Sequence, residues 1–118
     1  MRLWYLFVVL LLPAIAFADK AHVLEVRVSC NDERVCRFDV TVEHSDEGWA
    51  HYADRWEVLT PDGEIIATRI LAHPHDNEQP FTRSLGGVVI PPGITRVQVR
   101  ARDSVHSYNG REASVELP

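Results

Sequence analysis

Methionine occurs once, at the first position, which excludes a thioether copper(I) site. Cysteine occurs twice, as Cys30 and Cys36. A lone pair with this short gap is not the spacing of a thiolate zinc site. In an exported chain an even count reads as a disulfide. Catalytic signatures are missing as well. No Gly-x-Ser-x-Gly elbow is present, no Gly-rich phosphate loop runs from a strand into a helix, and no carboxylate pair is specified by spacing. The expectation is a non-enzymatic protein. Basic charge is also scarce: 12 Lys and Arg stand against 17 Asp and Glu, a formal charge of −5. That argues against nucleic acid or an anionic membrane as partner and is compatible with attracting cations. Internal repeats, low-complexity tracts and linkers are absent, and the 118 residues allow one domain.

The chain's one long apolar run is at its start. Arg2 is followed by LWYLFVVLLL (residues 3–12), broken by Pro13, with the small residues Ala16 and Ala18 ahead of Asp19. This is the pattern of a signal peptide over residues 1–18, removed before Asp19. The run is short for a membrane span, which takes about 20 residues. No cysteine follows it, which argues against lipoprotein processing. The domain proper is then residues 19–118, a periplasmic or secreted chain and not an integral membrane protein after cleavage.

Helical periodicity is nearly absent from that domain, and alternation replaces it. HVLEVRVSC (22–30) places Leu24, Val26, Val28 and Cys30 on one face. CRFDVTVEH (36–44) places Phe38, Val40 and Val42 on one face, with NDER as a tight turn between the two strands. A hairpin follows over residues 55–71, turning at Pro61-Asp62-Gly63. Residues 80–90 form a further strand with a bulge or bend at Gly86-Gly87. After PPG (91–93), TRVQVRARD (95–103) points Val97, Val99 and Ala101 inward and its arginines outward. REASVEL (111–117) returns, with Glu112 and Glu116 facing the arginine row. Seven short strands with regular turn signals predict an all-β fold, an immunoglobulin- or fibronectin-III-like sandwich of antiparallel strands with Trp56 in its core.

The run HYADRWEVLTPDGEIIATRILAHPHDNEQPFTRSL, continued by RARDSVHSYNG, resembles a family of small exported bacterial proteins. The resemblance implies a bacterial periplasmic setting and brings no activity or ligand. The last two strands also resemble the end of fibronectin type III domains, at the level of fold alone.

In such a sandwich the short turns share one end with the disulfide. The long loops, 45–54, 72–80 and 103–110, share the other. His22, His44, His51, His73, His75 and His106 all fall at the long-loop end. A Cys30–Cys36 bridge between opposed residues predicts a register in which Val28 faces Phe38, Val26 faces Val40, Leu24 faces Val42 and His22 faces His44. Opposed residues hold their Cβ atoms about 4.5–5.5 Å apart, within reach of one ion. A bulge would break that inference. The neighbouring Asp46, Glu47, Asp54, Asp76, Glu78 and Asp103 supply acceptors for the far nitrogens of ligating imidazoles. Imidazole-rich sites suit copper(II) or zinc.

The leading expectation is therefore a binding module that captures a divalent transition metal. Its candidate ligands are first His22 with His44, then His73 with His75, then His106 and His51. The alternative is a domain that binds a periplasmic protein or a glycan through Trp49, Tyr52 and Tyr108, its histidines only fastening loops. On that reading Asp54 and Asp103 pair with arginines such as Arg55 or Arg83.

Overall fold

The computed structural model describes residues 20–118, so the signal peptide expected over residues 1–18 lies outside the described residues. Seven strands follow one another: β1 (His22–Cys30), β2 (Val35–Glu43), β3 (Ala53–Leu59), β4 (Ile65–Ile70), β5 (Phe81–Val89), β6 (Arg96–Asp103) and β7 (Ala113–Glu116). They form a three-stranded sheet, β1-β2-β5, and a four-stranded sheet, β4-β3-β6-β7, with every pairing antiparallel. Among the described residues no helix is long and apolar enough to cross a membrane.

The alternation of the sequence becomes the two inner faces. Phe38, Val40 and Val42 come from β2, and Val97, Val99 and Ala101 from β6. Trp56 and Val58 come from β3. All are at most 2% exposed. Each buried valine or phenylalanine among them stabilises the fold by about 1.5–3 kcal/mol, and together they fix which residue at the end of each strand also points inward. Outside, Arg96 donates to Glu116 at 2.7 Å and Gln98 to Glu112 at 3.4 Å. The rest of the arginine row turns the other way, toward β3: Arg100 pairs with Glu57 at 3.0 Å, and Arg102 with Asp54.

Cys30 and Cys36 are bonded and stand opposite each other in the β1–β2 ladder. From there the expected register holds through Val28↔Phe38 and Val26↔Val40, then breaks. A bulge between Val23 and Glu25 brings Val23 opposite Val42 and His22 opposite Glu43. The pairing of His22 with His44 is thereby overturned. The cause is burial: the extra residue turns Val23 into the core at 2% exposure and leaves Leu24 outside at 38%. The glycines of β5 do mark a bulge. Cys36 pairs with Val88 and Phe38 with Leu85, so β5 carries one residue more than β2, and Gly87 takes φ +67°.

The β6–β7 loop closes tightly over the start of β1. Val23 N–H donates to Arg111 O at 2.8 Å, and Arg111 N–H donates to His22 Nδ1 at 2.8 Å. Gly110 permits this approach, since a Cβ there would lie 1.7 Å from the Ala21 carbonyl oxygen.

Candidate metal centre

Two strands from opposite sheets each end with a polar residue on the inner face. On β2 the inward series Phe38, Val40, Val42 continues past the strand to His44, which is 1% exposed. On β6 the series Val97, Val99, Ala101 ends at Asp103, which is 0% exposed. Strand parity alone carries both into the sandwich at the long-loop end, away from the disulfide.

The β2–β3 loop delivers the third member. Glu47 N–H donates to His51 O at 2.7 Å, which folds the loop back on itself, and Gly48 at φ +69° makes the bend. His51 then points at His44. The two Nε2 atoms lie 3.2 Å apart, with ring centres at 4.7 Å and planes at 74°. Asp103 closes the triangle, with Oδ2 3.5 Å from His44 Nε2 and Oδ1 3.7 Å from His51 Nε2. One ligand atom from each of His44, His51 and Asp103 falls within 4.8 Å of the others.

Carboxylates stand behind both imidazoles. His44 Nδ1 lies 2.6 Å from Asp46 Oδ1, and His51 Nδ1 lies 2.9 Å from Glu47 Oε1. Each carboxylate accepts the Nδ1–H, which leaves the Nε2 lone pairs facing the gap between the rings. This is the arrangement found behind metal-ligating histidines. Asp46, wholly buried, also accepts Ala53 N–H at 3.0 Å and His75 N–H at 2.7 Å. His44 N–H donates to Gln79 Oε1 at 2.9 Å, and Gln79 Nε2–H donates to His75 O at 3.0 Å. The centre is thus stapled to the β4–β5 loop at two points.

His106 sits at the rim. Its ring centre is 5.0 Å from that of His51, and its Nδ1 lies 3.3 Å from Asp103 Oδ2. The Asp103 carboxylate also caps its own loop, accepting the N–H groups of Val105 and His106. Asp46 and Asp103 carry wholly buried carboxylates, and the partners seen for them among the described residues are imidazoles and backbone N–H groups. Buried negative charge of this kind favours a cation beside it.

The remaining candidates lie elsewhere. His22 is at the edge of the sandwich beside Arg111. His73 and His75 lie side by side in the β4–β5 loop, ring centres 4.7 Å apart and tilted by 36°, with His75 lying flat on Phe81 at 4.0 Å. Burial, with Arg83 and His73 nearby, lowers the His75 pKa below the usual 6.5 and favours the neutral ring. Trp49 is 67% exposed, with Tyr52 edge-on to it at 5.5 Å. Tyr108 leaves the loop rim. Its hydroxyl donates to Glu57 at 3.1 Å beneath the Arg100 guanidinium, and burial followed by the Glu57 charge raises its pKa. Asp54 does pair with arginines, Arg102 and, at 3.7 Å, Arg55; Asp103 pairs with histidines instead. The role of Asp103 was readable from parity on β6, a signal that its position beside a polar loop obscures.

Against known proteins, no family model and no solved structure matches the chain. The chain is similar to a protein of Halomicrobium mukohataei described as "Putative lipoprotein", with 38% identity over 97 residues. The match takes in 82% of this chain and 47% of the relative, so the chain spans about half the length of the curated relative it matches.

Proposed function

We propose that this protein is an exported, non-enzymatic binding module that captures a divalent transition ion, copper(II) or zinc, between His44, His51 and Asp103. One observation carries the reading: two imidazole Nε2 atoms 3.2 Å apart, each with a carboxylate behind its Nδ1. Two nitrogens bound to one zinc at 2.0–2.1 Å in tetrahedral geometry stand about 3.3 Å from each other. Without an ion the same two lone pairs repel unless they share a proton. The buried Asp103 adds the negative charge that a dication needs, and three protein ligands leave a further position for His106 or for exchange with a donor. Export is supported by the disulfide, which persists in oxidising compartments, and by the description of the Halomicrobium relative.

A second reading, docking of a protein or glycan, draws on the exposure of Trp49. Calorimetric titration with copper(II) and zinc separates the two. Metal capture predicts binding at micromolar metal or tighter near pH 7.5. It also predicts marked weakening near pH 5, because imidazoles protonate around 6.5. His51→Ala should abolish one equivalent and Trp49→Ala none. Binding that His51→Ala leaves intact would refute this centre.

A further inference from the structure

A second group of histidines remains outside that centre. His73 and His75 flank Pro74 in the β4–β5 loop, and neither belongs to the group formed by His44, His51 and Asp103. With Trp49, Asp76 and Glu78 they line a pocket of about 570 Å³ between the β2–β3 and β4–β5 loops.

We propose that His73 and His75 form a second site, chemically separate from the buried centre, that holds one copper(II) or zinc ion beneath Trp49. Two observations carry this. The first is the state of His75. The residue is 5% exposed, and neither ring nitrogen has a hydrogen-bond partner among the described residues. A buried polar group left without a partner costs about 1–3 kcal/mol, and native proteins rarely leave one so unless water or an ion fills the place. The ring is held by stacking on Phe81 at 4.0 Å with planes 8° apart, so its orientation is fixed by packing while its lone pair stays uncommitted.

The second is the geometry of the pair. His73 Nδ1–H donates to the Pro74 carbonyl at 3.0 Å, which leaves Nε2 as the free lone pair on an exposed ring. The two ring centres are 4.7 Å apart with planes at 36°. Imidazoles bound side by side on one ion, with metal–nitrogen bonds of about 2.0–2.1 Å, have centres about 4.5–5 Å apart. Two imidazoles with uncommitted nitrogens suit copper(II), zinc or nickel and offer little to calcium or magnesium. Asp76 and Glu78 place negative charge around the mouth. Asp76 also ties the two loops together by accepting Gly48 N–H at 3.2 Å, and Glu78 pairs with Arg83 at 3.1 Å. The competing account is that Phe81, His75 and His73 form a packed stack with no ligand.

Equilibrium dialysis of the full chain against copper(II), with bound metal counted, decides between them. His73→Ala removes an exposed ring. His75→Phe keeps an aromatic on Phe81 and removes the nitrogens. Each should lower the bound copper by one equivalent and leave the His51-dependent equivalent in place. In the His51→Ala protein the remaining ion should quench tryptophan emission, and Trp49→Phe should remove most of that quenching. If both His73→Ala and His75→Phe bind as much copper as the parent, the histidines only stack and the proposal is wrong. Loss of the His73-dependent ion in His51→Ala would equally overturn a separate site while sparing the buried one. If His51→Ala changes nothing and His73→Ala removes the bound copper, the loop site stands and the buried centre fails.

Discussion

His44 and His51 meet nitrogen to nitrogen, Nε2 to Nε2 at 3.2 Å, although one follows an inner strand and the other crowns a loop. The contact is set from behind. Asp46 orients the first ring and Glu47 the second, so neither can turn its protonated nitrogen inward without giving up a carboxylate. An arrangement so constrained favours a positive species in the gap, so the proposed ion and the fold would stabilise each other.

That linkage gives the first prediction. An ion that binds only the folded chain adds about 2.7 kcal/mol of stability at a hundredfold excess over its dissociation constant. For a domain of this size each kcal/mol raises the melting temperature by about 4–8 °C. Thermal denaturation with and without zinc should show the rise, a chelator should reverse it, and His51→Ala should lose most of it. An unchanged midpoint at saturating zinc would count against the buried centre.

Asp46 is where fold and site meet. Its two oxygens serve His44 Nδ1–H, Ala53 N–H and His75 N–H, joining the end of β2, the start of β3 and the β4–β5 loop. Asp46→Ala strands all three donors in a buried place. It should destabilise the domain by about 3 kcal/mol in urea denaturation and weaken zinc binding about 10–100-fold. Glu47→Ala removes only the exposed carboxylate behind His51. It should leave stability within about 0.5 kcal/mol of the parent while still lowering affinity. A matching loss of stability in both variants would mean that the carboxylates are structural alone.

Strand parity made much of this readable. Once β2 and β6 alternate, His44 and Asp103 face inward on opposite sheets, whereas the partners of each were not fixed by that pattern. The bulge near Leu24 was not readable, because a single extra residue costs little locally and is decided by whether Val23 or Leu24 fills the core better. That choice moved His22 away from His44. Loop contacts such as His51 with Glu47, or Asp46 with His75, depend on how three loops fold against one another, and no periodic pattern encodes that.

On the outer face of the three-stranded sheet, Ser84 Oγ–H donates to Asp39 Oδ1 at 2.5 Å, and this bond, helped by Arg37 and Arg27, holds the Asp39 carboxyl below its usual range. A carboxyl whose pKa is lowered by folding contributes stability above its unfolded value, near 3.9, and loses it as pH falls toward the folded value. Ser84→Ala should therefore cost roughly 1 kcal/mol or less near neutral pH, since the group is partly solvated. The difference from the parent should shrink below about pH 4. Urea midpoints of both proteins across that range test it; a gap that widens on acidification would reverse the assignment.

The disulfide and the metal centre lie at opposite ends of β2, Cys36 near its start and His44 just past its end. A bridge closing so short a loop acts mainly on the unfolded chain, at about 2 kcal/mol. It sits eight residues along the ladder from His44, roughly 27 Å at the usual strand rise, too far to shape the ligands. Replacing both cysteines by serine should lower the melting temperature yet leave zinc affinity and stoichiometry unchanged when measured below the new midpoint. If affinity fell on loss of the bridge, the two ends of the sandwich would have to be mechanically coupled, and the β2 core of Phe38, Val40 and Val42, each 0% exposed, would be the element to probe by Val40→Ala.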